Sequence, residues 1–181
     1  ESLEFLIAGV DRTSRLVNQL LTMARLEPNT VTPVLHPIDL TETVRASLVQ
    51  LTPWLLSKNL ELAFDANERP IKVVADAAAI DIALNNLISN AANFSPAHGV
   101  IRVQLSQADG FYHLSVEDQG PGIDEADRER LFERFYSRGN AQGAGLGLTI
   151  VNTIATRLGG RITLVNRPEG GLRATLSIPD K

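Results

Sequence analysis

Three asparagines, Asn86, Asn90 and Asn93, recur four and three residues apart in Leu84-Asn85-Asn86-Leu87-Ile88-Ser89-Asn90-Ala91-Ala92-Asn93-Phe94-Ser95-Pro96. On a helix that spacing puts them on one face. Asparagine is a poor helix former, and Leu84, Leu87, Ile88 and Ala91 already supply an apolar face. The amides are therefore a surplus that folding does not require. An amide oxygen is a neutral, hard ligand, suited to a Mg²⁺ ion otherwise held by water and phosphates. The plain alternative is a solvated polar face.

Glu117-Asp118-Gln119-Gly120-Pro121-Gly122 comes after an alternating run. A carboxylate at a strand end can accept a hydrogen bond from an exocyclic amine, and the glycines let the backbone pass close to a flat ring. An ordinary turn would look the same. Gly143-Ala144-Gly145-Leu146-Gly147-Leu148-Thr149 runs into a helical pattern. Closely spaced glycines at a helix N-terminus expose N–H groups where the helix dipole favours an anion, which makes a phosphate cradle. No Lys-Ser/Thr pair comes after the last glycine, so this is not a P-loop, and the spacing does not fit a dinucleotide fingerprint. Between these stretches lies Phe132-Glu133-Arg134-Phe135-Tyr136. Phe132 and Phe135 read as core anchors. Arg134 and Arg138 are candidates for a terminal phosphate, because guanidinium forks match its oxygens; surface salt bridges are the alternative.

These residues need elements to hold them. Residues 1–27 read as one amphipathic helix with a heptad seam of Leu3, Leu6, Val10, Thr13, Val17, Leu20 and Ala24. Its opposite face is polar. Two prolines in Glu27-Pro28-Asn29-Thr30-Val31-Thr32-Pro33 cut it off from the rest of the chain, so 28–33 is the linker. From residue 34 the pattern predicts strands at 34–40 (an edge, given Pro37), 60–65, 71–74, 100–106, 111–117, 161–166 and 173–178. Helices are predicted at 40–57, kinked at Pro53, and at 77–93, 125–134 and 145–158. Asp109-Gly110 carries a hairpin signal, and 137–144 reads as mobile. The strands are mostly hairpin-linked, which predicts an α+β, two-layer sandwich with a mixed, largely antiparallel sheet at 34–181, preceded by one long amphipathic helix.

Bulk properties narrow the chemistry. The chain has 181 residues, 44% hydrophobic and 21% charged, the balance of a soluble globular protein. It has no cysteine, which removes disulfides, thiolate zinc sites and cysteine nucleophiles and fits a reducing compartment. With a net charge of −4 and 5% aromatics it lacks the basic footprint of a nucleic-acid binder. No apolar stretch reaches the roughly 20 residues that span a bilayer, and the first residues lack the basic start of a signal peptide. The chain reads as a piece entered mid-helix.

In order and spacing the motifs are specific where singly they are weak. An Asn-x-x-x-Asn-Ala helix, then Asp-x-Gly-x-Gly, then Phe-Glu-Arg-Phe, then Gly-x-Gly-Leu-Gly-Leu resembles the sensor histidine kinases, within the gyrase/Hsp90/histidine-kinase/MutL ATP-binding superfamily. Glu169-Gly170-Gly171-Leu172-Arg173-Ala174-Thr175 is similar to that family's closing hairpin. The stretch 11–26 is similar to the second helix of its dimerisation hairpin.

The resemblance implies a Bergerat-type site for ATP and Mg²⁺. Asn90 would hold the metal and Asn86 would help position the phosphates. Asp118 would read the adenine amine, with Gly120 and Gly122 along the ring, Phe94 near the adenine and Ile123 among the nucleotide-binding residues. Residues 137–147 would form the lid. Gly145 and Gly147 would approach the phosphates, and Gly143, Leu146, Leu148 and Thr149 would belong to the same nucleotide-binding site. The resemblance further implies a homodimer through the dimerisation hairpin, a response regulator as partner, and a cytoplasmic domain of an inner-membrane sensor.

Two departures qualify it. Family members usually carry Lys or Arg where this chain has Asn93, so a phosphate-facing charge is gone and nucleotide affinity is expected to be weaker, or to lean on Arg134 and Arg138. The family's phosphoacceptor sits in a His-Glu/Asp-x-x-x-Pro motif on the first dimerisation helix, and none of His36, His98 and His113 fits it. The chain should bind ATP without phosphorylating itself. Gyrase- or Hsp90-like hydrolysis is the rival reading, but it needs a carboxylate one turn before the metal-binding Asn, where this chain has the amide of Asn86. A regulatory nucleotide-binding module is the non-enzymatic alternative.

Overall fold

The computed structural model describes residues 2–26, 34–66, 70–136 and 145–180. The linker at 28–33 and the lid positions 137–144, with Arg138 and Gly143, lie outside the described residues. The first helix, α1, spans Ser2–Arg25. Val10, Val17 and Leu20 of the expected seam are exposed; the side chains of Leu3 and Leu6 lie outside the described ones. α1 is not cut off from the rest as expected. Its last turn brings Met23 and Leu26 into the main core, both 8% exposed.

Strand β1 (His36–Asp39) pairs antiparallel with β3 (Lys72–Ala75) as a separate two-stranded sheet, Pro37 opposite Val74. The expected single sheet is therefore two. β1 has one partner, which suits a proline that cannot donate on a second side. Asp39 then caps α2 (Leu40–Ser57), its side chain accepting from Glu42 N at 3.1 Å. α2 continues across Pro53. Proline removes the bond to the carbonyl four residues back, here that of Val49, and both residues are exposed, so water can serve it.

The main sheet runs in the order β2 (Glu61–Ala66), β4 (Val100–Ala108), β5 (Phe111–Glu117), β7 (Leu172–Pro179), β6 (Arg161–Asn166). β2 and β4 are parallel and the other neighbours antiparallel. Asp109 and Gly110, at φ 52° and 74°, make the tight turn between β4 and β5. Period-2 alternation turns Ile101, Val103, Leu105, Leu114, Val116, Leu176 and Ile178 into the core. Against that face lie α2, α3 (Ala77–Phe94) and α4 (Gly147–Arg157). Asp76 caps α3 by accepting from Ala78 N and Ala79 N. α3 stops where Ser95 turns extended ahead of Pro96.

Two expectations fail locally. The predicted helix over 125–134 is a pair of 3₁₀ turns, Glu125–Asp127 and Arg130–Phe132. Its core-packed residues there, Leu131 and Phe132, are adjacent rather than three or four apart, so no helical face exists to bury. Phe135 is no core anchor either: it is 65% exposed with φ 64°. Phe132 packs against the core as expected.

Candidate functional site

α3 carries its apolar stripe, Ile80, Leu84, Leu87, Ile88 and Ala91, into the core. That rotation leaves Asn86, Asn90 and Asn93 half-buried along the side facing α4. Asn86 Nδ2 donates to Ile82 O at 2.8 Å, so its Oδ1 points away from its own helix. α4 begins at Gly147, two residues later than expected, because Gly145 has φ 68° and Leu146 is the cap. A Cβ on Gly147 would lie 3.3 Å from Asn86 Oδ1 and 3.3 Å from Asn90 Oδ1. The glycine is what lets the start of α4 sit against both amides. Leu146 makes no side-chain cap bond, so the first-turn N–H groups of α4 have no acceptor from their cap, the kind of helix end that suits an anion. Leu146 and Thr149 are buried and Leu148 packs partly against the core. Thr149 Oγ1 donates to Phe132 O at 3.0 Å, tying α4 to the 3₁₀ turn at Arg130–Phe132. Arg134 is exposed two residues beyond that turn.

The second part of the site starts at the end of β5. Asp118 is 6% exposed. Its Oδ1 accepts from Gly120 N at 2.8 Å and from Leu172 N at 3.1 Å. No donor reaches Oδ2 among the described residues. Burial pushes the Asp118 carboxyl above the ordinary aspartate range, against the opposing pull of the Gly120 and Leu172 N–H groups and of Arg167. Gly120 passes so close to α3 that a Cβ there would lie 2.7 Å from Phe94 O. The Asp-x-Gly loop and the end of the asparagine helix are thus in contact, with Phe94 half-exposed beside them. Gly122 has φ 75° and Ile123 packs partly on the core.

Sequence reasoning missed four polar side chains, three at this loop and one at Asn86. Gln119 Oε1 accepts from Val100 N at 2.8 Å. Asn166 pairs with the backbone of Ile123, and Arg167 Nη1 donates to Asp118 O at 2.6 Å. From α1, Gln19 Nε2 donates to Asn86 Oδ1 at 3.4 Å. Each bonds a partner distant in sequence, which leaves no local pattern; the nearest signal is the Gly170-Gly171 turn beside Asn166-Arg167.

Neutral amides facing a bare helix end, with a buried carboxylate at the far side of the same helix, are a nucleotide-site arrangement. Residues 75–181 match the family described as histidine kinase-, DNA gyrase B-, and HSP90-like ATPase, and the chain belongs to that family. Within it the chain is the ATP-binding catalytic domain of the sensor-kinase type, and its named relatives are sensor histidine kinases. The signal transduction histidine-protein kinase/phosphatase MprB of Mycobacterium sp. (strain KMS) is 37% identical over 169 residues, which cover 91% of this chain and 32% of that protein. The chain thus spans about a third of the length of that curated relative. Full-length ShkA in complex with AMPPNP superposes with a TM-score of 0.81 at 30% identity, over 91% of this chain and 35% of that one. ThkA in complex with the response regulator protein TrrA gives 0.81 at 25% identity, over 95% and 49%. Among the described residues no helix is long and apolar enough to cross a membrane.

Proposed function

We propose that this chain binds ATP with Mg²⁺ between α3 and α4 and delivers the γ-phosphate to a histidine on a dimerisation helix, for relay to a response regulator. The observation that carries the reading is the meeting of the Asn86 and Asn90 amides with Gly147, the first residue of α4, where an added Cβ would stand 3.3 Å from each Oδ1. A cation riding on phosphate oxygens calls for that pair of neighbours: neutral oxygens on one side and N–H donors on the other. The donor set fits Mg²⁺ carried by a nucleotide. The described residues hold no cluster of three His, Cys, Asp or Glu, and on this reading the phosphates supply the anionic ligands. Asn90 would hold the ion and Asn86 orient the phosphates beside it. When bound, Mg²⁺ supplies charge neutralisation at the phosphate oxygens.

The chain's own residues do the rest. Asp118 Oδ2 accepts the adenine amine while Oδ1 is occupied. Gly120 and Gly122 let the ring lie along the backbone, bounded by Ile123 and Phe94. Gly145, Leu146, Gly147, Leu148 and Thr149 turn N–H groups toward the phosphates. Arg134 would extend that contact, as would Gly143 and Arg138, which lie outside the described residues. Asn93 adds an amide that, turned over, offers a donor to the same oxygens.

The attacking imidazole comes from outside these residues. His36 lies on β1, His98 in a turn at φ 62°, and His113 on β5 with Nδ1 2.9 Å from Ser177 Oγ. None is on a helix. On this reading residues 1–27 are the second helix of a dimerisation hairpin, 28–33 a linker and 34–181 the catalytic domain. The exposed Val10, Val17 and Leu20 support a helical partner there, in a homodimer on the cytoplasmic side of an inner-membrane sensor. The solved complex of ThkA with TrrA supports a response regulator as partner.

The test is transfer of labelled phosphate. The chain with ATP alone should form no phosphohistidine. Adding a first-helix segment that carries a His-Glu-x-x-x-Pro motif should place label on that segment, and Asn90→Ala should abolish it. Label on the chain itself, or steady ATP turnover without an acceptor, contradicts the proposal.

A further inference from the structure

The loop from Asp118 to Ile123 contains Gly120, Pro121 and Gly122 and belongs to no helix or strand. Its short-range bonding amounts to Gly120 N donating to Asp118 Oδ1. A loop so poor in internal bonds does not hold a carboxylate oxygen to a fraction of an ångström by itself. Its middle is tied to Val100 N through Gln119 Oε1 at 2.8 Å, and both its ends are fixed from one place, the β6–β7 hairpin around its turn.

At the far end of the loop, Asn166 Oδ1 accepts from Ile123 N at 2.8 Å and Asn166 Nδ2 donates to Ile123 O at 2.7 Å. One side-chain amide thus satisfies both polar groups of one backbone residue, as a neighbouring strand would. Gly122 makes room for it: a Cβ there would lie 2.6 Å from Asn166 Oδ1. At the near end, Asp118 N donates to Leu172 O at 3.0 Å and Leu172 N to Asp118 Oδ1 at 3.1 Å. Arg167 Nη1 donates to Asp118 O at 2.6 Å. Gly171 abuts the same carbonyl, 2.0 Å from where its Cβ would stand.

The turn is itself well fixed. Arg167 N donates to Gly171 O and Gly170 N to Arg167 O, at 2.9 and 3.1 Å. Arg167 is 14% exposed and spreads its guanidinium over Asp118 O, Glu169 at 2.6 Å and the buried Glu117 at 3.5 Å. Glu117 is held in turn by Arg173 at 2.6 Å.

We propose that Asn166, together with Arg167, is a positioning residue for base selectivity: it fixes the Asp118–Ile123 loop so that Asp118 Oδ2 meets the amino group of the purine. The inference rests on the reading of Asp118 as the adenine-amine acceptor. Hydrogen bonds weaken steeply with distance and angle, so a loop released at Ile123 loses the amine contact while stacking and phosphate contacts persist. Asn166 itself touches no nucleotide; it acts through the loop.

The experiment compares affinity of the chain for ATP and for purine riboside triphosphate, which lacks the amine, by calorimetric titration with Mg²⁺. A charge-assisted bond to the amine gives the wild type a preference for ATP of about tenfold or more. In Asn166→Ala the preference collapses toward one, because ATP weakens and the analogue does not. Asn166→Asp keeps the shape and the acceptor for Ile123 N but loses the donor, and its preference falls between the two; this variant also serves if the alanine one folds poorly. Thermal unfolding run in parallel separates lost selectivity from lost fold. A preference retained in folded variants, or affinities for both nucleotides falling in parallel, overturns the proposal. A wild type with no preference overturns the Asp118 reading itself, and this inference with it.

Discussion

Asn93 lies just under one turn beyond Asn90, with its Oδ1 buried and without a hydrogen-bond partner among the described residues. A lysine there would exchange an unmet amide oxygen for a cation aimed at phosphate. Asn93→Lys is expected to bind ATP about five- to tenfold tighter, the worth of one partly screened charge-assisted bond, and an unchanged titration would show that the position does not face the phosphates. Asp118 gives a second prediction. Burial makes it a weaker acid in the folded chain than in the unfolded one, so its ionised form costs stability. That cost is absent below the ordinary aspartate range and grows as pH rises through the raised folded value. ATP affinity should rise over the same window, since the carboxylate is the better acceptor. Asp118→Asn should flatten both profiles between about pH 4 and 7, measured by thermal unfolding and by titration, and lose about tenfold or more in ATP affinity. Asn86, Asn90, Asp118 and Gly147 could be picked out from sequence because amides, a lone carboxylate and glycines at those spacings are costly without a use. Asn166, Arg167 and Gln19 could not, since an amide that bonds a distant backbone looks like any surface amide until the chain is folded.

At the scale of elements, α1 is the one whose behaviour departs furthest from its pattern. A heptad stripe names which face seeks a partner but not which other face finds the domain; Met23 and Leu26 lie off the stripe and are the ones buried. Their docking brings Gln19 onto Asn86 Oδ1, one of the two amide oxygens that face the start of α4. Gln19→Ala is therefore expected to tighten Mg–ATP binding about two- to fivefold, in the range of one neutral hydrogen bond that no longer competes, and equal affinities would mean that the contact yields without cost. The 125–134 segment shows the opposite failure. A helix is expected there, but without apolar residues three or four apart propensity alone does not hold an isolated helix of that length. The strands were easier, because alternation leaves little freedom once one face is buried, and β5 and β6 lie where their patterns end.

For the whole molecule, the mixed sheet and its helical layer are dictated by hairpin signals and amphipathic spacing, whereas the separate β1–β3 sheet is not. Its pairing joins segments more than thirty residues apart, and no local pattern encodes that choice. What the fold achieves is to bring the asparagine helix, the Asp118 loop and the start of α4 into contact from three distant parts of the chain. The measurement that tests this most directly is a calorimetric titration of the chain with ATP, with Mg²⁺ and with the metal chelated, repeated on Asn90→Ala. The expected result is one ATP per chain, weakened about ten- to a hundredfold both by chelation and by Asn90→Ala, the variant unfolding at the same temperature and no longer responding to chelation. A wild-type chain that binds no ATP, or an Asn90→Ala chain that binds it as tightly and with the same dependence on Mg²⁺, would contradict a nucleotide–metal site between α3 and α4.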